Sequence, residues 1–367
     1  MSRKTTMLLM LLLVATSLGL FHPTFFALNG QVYKFVTYVC SILLIVGSWR
    51  TTEKCNAIFV YSVLGISICQ ILSAFNAYQY FGQSLGVSIL ATLQGFAYIL
   101  LIPFMKSKLK TNDMEQIVQV FAVFFIIFSL INRLTSVPLF GKADDTIDRG
   151  VVRFRVIGVY WAMLFLLMKA NAFALSSSRK NLLWALIAMF AIILTLTRQN
   201  ILVAFFMASL LFFMRVNWKK KIMYIVAVLT VFFVVLPQSQ IYNSLVEKTE
   251  SDREAQDQYD NIRLVAAEYF LEDCPRNISQ TLFGHGTPSF GNSSYGRQYE
   301  NFQAFTGIYR EDVGYCGFFY DFGLVSTTFL IFLFVKALFM KIPKRDLYLK
   351  YFAGAFLILN IASAPCL

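Results

Sequence analysis

Ala191-Ile-Ile-Leu-Thr-Leu-Thr-Arg198-Gln-Asn-Ile-Leu-Val-Ala-Phe-Phe206 sets an arginine inside an apolar run that extends from Leu182 to Met214. A guanidinium never loses its charge, and at membrane depth it costs about 3 kcal/mol or more. The run covers about 33 residues, too many for one ordinary transmembrane helix and enough for two short ones. Both flanks are basic, with Arg179 and Lys180 before it and Arg215, Lys219, Lys220 and Lys221 after it. Positive flanks stay in the cytoplasm, so both ends lie on one side and the run folds as a hairpin. Arg198 then stands at the outer apex, where a charge meets water and an extracytoplasmic anion.

Outward from that hairpin the rest of the chain reads the same way. Only 14% of its 367 residues are charged and 57% are hydrophobic, whereas a soluble domain averages about 25% charged. The 38 Phe and 18 Tyr suit lipid-facing helices with interfacial aromatic belts. A net charge of +12 would ordinarily suggest nucleic acid. Its excess lies in short loops on one side, so positive-inside topology accounts for it and no nucleic-acid partner is expected. The six cysteines show no metal spacing. Cys274 and Cys316 bracket a large outer loop and are the pair placed to bridge in an oxidising compartment.

Apolar segments fall near 5–21, 31–49, 56–74, 83–104, 114–132, 156–175, 182–197, 199–214, 222–236, 313–335 and 347–362. They predict an all-α polytopic integral membrane protein of about 11 transmembrane helices. The first, after Arg3-Lys4, reads as an uncleaved helix rather than a signal peptide. With the N-terminus in the cytoplasm, the basic loops (Arg50 and Lys54; Lys106, Lys108 and Lys110; Arg179 and Lys180; Arg215 to Lys221; Lys336 to Arg345) all fall inside. The C-terminus then lies outside, and a twelfth helix is expected if the chain continues past Leu367. Three regions follow: 1–236 with transmembrane helices and short loops, 237–312 as a large extracytoplasmic loop, and 313–367 with the last helices. The loop is about 75 residues long, too long for a connector. Ile262, Val265, Ala266, Tyr269 and Phe270 recur at helical spacing and predict an amphipathic helix within it.

Four outer arginines are candidate anion ligands: Arg153, Arg155, Arg198 and Arg263. Their forked donors match phosphate oxygens bidentately, although loop arginines are also often merely solvated or bridged to lipid phosphate. His285, between Gly284 and Gly286, is a candidate general base or an ordinary loop residue. Asp312, where the loop re-enters the membrane, is placed either to take a proton from a sugar hydroxyl or to cap the helix that follows. Asp321 lies deeper in that helix. No nucleotide, zinc or other metal motif is present, so no cofactor is expected.

The order of these features resembles the O-antigen polymerase and O-antigen ligase superfamily of bacterial envelope glycan assembly. Its arginine tripeptide, Gly-x-Gly and return-helix motifs stand here as Thr-Arg198-Gln, Gly284-His-Gly286 and Asp321-Phe-Gly-Leu-Val-Ser326. The layout matches from about Arg149 to Thr328, with glycine absent in two places. The resemblance implies that Arg198 and Arg263 bind a lipid-linked diphosphate, with Arg153 or Arg155 assisting. Ligases of the family carry a histidine just before the return helix, where this chain has Glu311-Asp312, which favours a polymerase. The implied reaction is an inverting, metal-independent glycosyl transfer at the outer face of the bacterial inner membrane. Undecaprenyl-diphosphate-linked repeat units would be joined into a surface polysaccharide, with Asp312 preferred over His285 as base. Membrane lipids, a chain-length regulator and a flippase are the implied partners. The alternatives are a ligase passing polymer to a lipid A-core acceptor and a non-enzymatic exporter with polar residues such as Gln70, Asn76 and Gln94 along its path.

Overall fold

A bilayer offers no water to bond exposed peptide groups, so a chain this apolar must satisfy its backbone internally, and helices do so. The computed structural model describes residues 2–25, 30–49, 56–93, 95–107, 109–144, 152–215 and 262–362. Its helices are α1 Arg3–Ser17, α2 Gly30–Trp49, α3 Ala57–Phe81, α4 Leu85–Thr92, α5 Leu101–Met105, α6 Thr111–Thr135 and α7 Val159–Ser176. They continue with α8 Arg179–Ile193, α9 Arg198–Arg215, α10 Ile262–Glu268, α11 Ile278–Phe283, α12 Ser294–Thr306, α13 Tyr315–Phe339 and α14 Tyr348–Ala362. Helix lies over every expected segment inside the described residues. The segment 222–236, the loop residues 237–261 and the end of the chain after Ala362 fall outside them.

Among the described residues four helices are long and apolar enough to cross a membrane: α3, α6, α7 and α13. A bent pair, α4 with the helix ending at Met105, would be a fifth, and α2 and α9 hold shorter apolar helices. The described residues are predominantly helical, in keeping with a polytopic membrane protein. The only strands among the described residues are β1 Lys142–Asp144 and β2 Arg153–Arg155, an antiparallel ribbon inside what the sequence presents as an outer loop.

Contacts divide the chain into two units, each built from segments distant in sequence. The first comprises residues 1–43, 108–255 and 340–355. Here α7 packs against α6, α8 and α9 and buries residues all round, among them Met163, Phe165, Leu166 and Leu167. Lipid is as apolar as leucine, so such helices associate through close packing rather than through release of water. Small residues supply that closeness: Ala185, Ala188 and Ala191 are buried on α8 and Ala204 on α9. The opposite faces expose Leu183, Leu186 and Phe190 on α8 and Leu202, Phe206 and Leu210 on α9. Apolar stripes of that length at helical spacing are lipid-facing surface.

The second unit comprises residues 44–107, 256–339 and 356–367. Its axis is the pair α3 and α13. Gly65 makes the contact possible, since a Cβ there would stand 2.4 Å from the Phe329 ring. Ile66, Phe318, Phe322 and Leu330 form the buried seam.

Candidate functional site

In the first unit, α8 ends at Ile193 and α9 begins at Arg198, so four residues turn the chain. Leu196 makes the reversal by adopting φ +53°, a left-handed conformation that a bulky side chain rarely takes. It is held there by burial, at 5% exposure, and by a turn hydrogen bond from its N–H to the Ile193 carbonyl. Arg198 is thereby the first residue of α9, half-buried at the positive end of that helix. Beside it the Thr197 hydroxyl accepts a 2.9 Å hydrogen bond from Arg153 Nη2. The β-ribbon sets Arg153 there. Arg153 and Arg155 point to one side of β2 while the intervening Phe154 is buried, and Arg155 stays exposed opposite Lys142. Two arginines that the sequence separates by a whole helical hairpin thus flank one threonine. Cationic forks at a helix N-terminus are chemistry for an anion.

In the second unit the Gly284-His-Gly286 and Asp321-Phe-Gly323 motifs lock together. Gly323 breaks α13 with φ 78° and ψ 176°, a region open essentially to glycine alone. The break frees the carbonyls of Tyr320 and Asp321, which accept the N–H groups of His285 at 2.8 Å and Gly286 at 3.0 Å. The approach is so close that a Cβ on Gly284 would stand 2.4 Å from the Asp321 carbonyl oxygen. Reciprocally, one on Gly323 would stand 2.3 Å from that of Leu282. Two side-chain amides from the α3 end clamp the loop. Asn76 donates to the Gly284 carbonyl at 2.7 Å, and Gln83 accepts from the Ser289 N–H at 2.9 Å and the Ser293 hydroxyl at 2.7 Å. Asn76, a candidate for an export path, is consumed in this clamp.

Asp321, on the apolar return helix, is 1% exposed and bonds Arg310 Nη1 at 2.7 Å. Arg310 is itself buried and bonds Glu311 through Nε at 3.1 Å. Burial would pull its pKa down, but Asp321 and Glu311 outweigh that and raise it, so the guanidinium stays charged. Phe290 and Tyr299 present their rings to the cation, with centroids 5.7 and 5.5 Å from the guanidinium carbon. Tyr320 completes the surround, its hydroxyl 2.8 Å from that of Tyr295. Sequence reading noticed Asp321 and passed over Arg310. The available signal was that a carboxylate inside an apolar helix demands a partner.

His285 is 2% exposed and stacks on Tyr320, with ring centroids 4.5 Å apart. Its Nδ1 lies 3.2 Å from the Tyr320 carbonyl oxygen and its Nε2 3.0 Å from that of Cys274. Neither nitrogen faces open space, so the arrangement fits positioning better than proton abstraction. Burial lowers its pKa, partly offset by the two carbonyl oxygens. An unfolded histidine takes a proton below about pH 6.5 while the buried one resists, so its stability contribution is full above that pH and falls as pH drops below it. Thermal unfolding between pH 7.5 and 5 is expected to show a steeper acid-side loss in wild type than in His285→Gln.

Asp312 is exposed in the short turn Arg310–Asp312 that leads into α13, and Arg263 is exposed on α10. The expected amphipathic face on α10 needs correction. Ala266 and Phe270 are buried, but Ile262 and Val265 are exposed, because the cluster of Tyr299, Ile308, Val313 and Tyr320 covers the helix only from Ala266 onward. The Cys274–Cys316 pairing that an oxidising compartment would allow is not formed: both are free thiols packed at the edge of one aromatic cluster. Burial pushes Cys274 up to about 11, which keeps it a protonated, hydrophobic packing residue. Arg149, where the family-like layout begins, lies outside the described residues.

Residues 182–333 match a family model described as O-antigen ligase. No curated protein matches the chain.

Proposed function

We infer that residues 182–333, which match a family model described as O-antigen ligase, place the chain in the O-antigen polymerase and ligase superfamily. The reading is a polymerase that joins undecaprenyl-diphosphate-linked repeat units into a surface polysaccharide at the outer face of the bacterial inner membrane. The observation that carries it is the hydrogen bond from Arg153 to Thr197, which draws a second guanidinium to the Arg198 apex inside the matched stretch. In the reaction, an acceptor sugar hydroxyl attacks the anomeric carbon from the face opposite the diphosphate. The new glycosidic bond forms, the bond to the diphosphate oxygen breaks, and the configuration inverts. Arg198 and Arg153 stabilise the charge gathering on the departing lipid diphosphate. Arg155 and Arg263 carry the same role by resemblance. Asp312 takes the hydroxyl proton, and His285 is the less favoured base because its ring nitrogens face carbonyl oxygens.

The same proposal holds eleven crossings with a cytoplasmic N-terminus. Its regions are 1–236, 237–312 as the extracytoplasmic loop, and 313–367. A flippase supplying repeat units and a chain-length regulator are the proposed partners. The description of the matched family favours a second reading, in which the same chemistry passes finished polymer to lipid A-core. Glu311-Asp312, in place of the ligase histidine, speaks for the polymerase.

Replacing Arg198 with Lys keeps the charge and removes the bidentate fork. Transfer is expected to fall by roughly 10²–10³-fold, the usual cost of losing one transition-state donor. Glycan banding in a deletion strain complemented with the variant reads this directly. Single repeats without long chains support the polymerase, and unattached long chains support the ligase. Full-length, attached polymer from normally inserted variant would refute the role of Arg198.

A further inference from the structure

The first unit holds a polar cavity of about 450 Å³ at the end remote from the Arg198 hairpin. Helix α6 joins the two ends. Asn112, Glu115, Gln116 and Gln119 at its start line the cavity. At its far end Asn132 and Arg133 bond the Phe140 and Val152 carbonyls beside the β-ribbon. The whole helix, 25 residues long, rises about 37 Å. Across the cavity stand Lys169 and Asn171 from α7, with Arg345 and Tyr348.

The charges are unequal. Both Glu115 oxygens are engaged, one by Arg345 Nη2 at 2.8 Å and the other by the Tyr348 hydroxyl at 3.3 Å. Lys169 has no carboxylate within ion-pair distance among the described residues, and its ammonium lies 5.1 Å from the Phe165 ring centroid. One net positive charge therefore faces the cavity. Asn171, 1% exposed, donates through Nδ2 to the Lys344 and Arg345 carbonyls, while its Oδ1 is buried without a donor. A cation beside the Gln116 and Gln119 carboxamides asks for a ligand with an anionic group and a hydroxyl or N–H.

We propose that this cavity binds a phosphate ester carrying a hydroxyl donor, the chemistry of a glycerol phosphate headgroup. Lys169 takes the phosphate, and the hydroxyl donates to the amide oxygen of Gln116 or Gln119, both in the same lining. Lys169 lies about two turns before the end of a membrane-crossing helix, from where a long side chain can snorkel toward lipid phosphates. The ester comes either from an anionic phospholipid or from a soluble polyol phosphate.

Native mass spectrometry of the whole chain in detergent tests this without reference to glycan transfer. Phosphatidylglycerol is expected to be retained, and phosphatidylcholine, which lacks the hydroxyl donor, to bind at least tenfold more weakly. Lys169→Met should lose at least tenfold in phosphatidylglycerol affinity, and Lys169→Arg should keep most of it. Displacement of the lipid by millimolar glycerol 3-phosphate, but not by inorganic phosphate, would make the soluble ester the ligand and keep the chemistry. Equal binding of the two lipids overturns the proposal, as does unchanged binding by Lys169→Met. If Lys169→Met does not fold, unchanged binding by Lys169→Gln is equally decisive.

Discussion

Gly323→Ala is expected to abolish the folded second unit. The added Cβ would stand 2.3 Å from the Leu282 carbonyl oxygen and 2.4 Å from the Phe283 nitrogen, which are backbone atoms with no rotamer to yield. The φ of 78° with ψ of 176° adds strain in a region that side chains avoid. Strain and overpacking together cost roughly 2–6 kcal/mol, much of a marginal stability. The escape is to straighten α13, which withdraws the Tyr320 and Asp321 carbonyls from His285 and Gly286. Gly284→Ala should behave alike, since it faces Asp321 and Phe322 from the other side. Gly291 is the control: its φ is +70° but no atom lies within 4 Å of a built Cβ, so Gly291→Ala should cost about 1 kcal/mol. Monodisperse yield in detergent and thermal unfolding separate the three.

Asp321→Ala should be nearly as damaging, through charge rather than shape. It leaves the Arg310 guanidinium, whose side chain is 8% exposed, without the carboxylate 2.7 Å away. Breaking one side of a buried pair costs about 3–5 kcal/mol. Glu311 offers little relief, because its side chain is 48% exposed and already engaged through Arg310 Nε. The double variant Asp321→Leu with Arg310→Met removes both charges and should recover most of that loss. Unfolding temperatures in one detergent test the contrast. If the double variant is as unstable as the single, the pair is not what holds Asp321 in an apolar helix.

The helices were legible because apolar length and basic loops act locally and together. The Arg198 hairpin is the clearest case: an apolar run too long for one helix and interrupted by one charge forms two, with Arg198 opening the second. The β-ribbon was not legible, since strands of three residues carry no period to read. His285 drew notice as a loop histidine between glycines. Its burial depends on a helix break that frees the carbonyl of Tyr320, 35 residues away, which spacing alone does not reveal. The buried part of α10 is likewise decided by tertiary contact, since the Tyr299 and Tyr320 cluster meets it only from Ala266 onward. Arg310 was hidden by its neighbours, because Glu311 and Asp312 offered a sufficient local explanation as helix-capping acids. The pairing with Asp321 belongs to tertiary structure, although the unpartnered carboxylate was visible in the sequence.

The central claim is covalent transfer from a lipid diphosphate, with Arg198 acting on the leaving group. The direct measurement places the purified chain in vesicles with a synthetic undecaprenyl-diphosphate-linked repeat unit and a chelator. Products are then read by mass and by the configuration at the new linkage. We predict chains longer than one repeat, inversion at the anomeric carbon and one lipid diphosphate released per bond formed, with Arg198→Lys largely inactive. Movement of the donor across the bilayer with its glycan length unchanged would contradict the account.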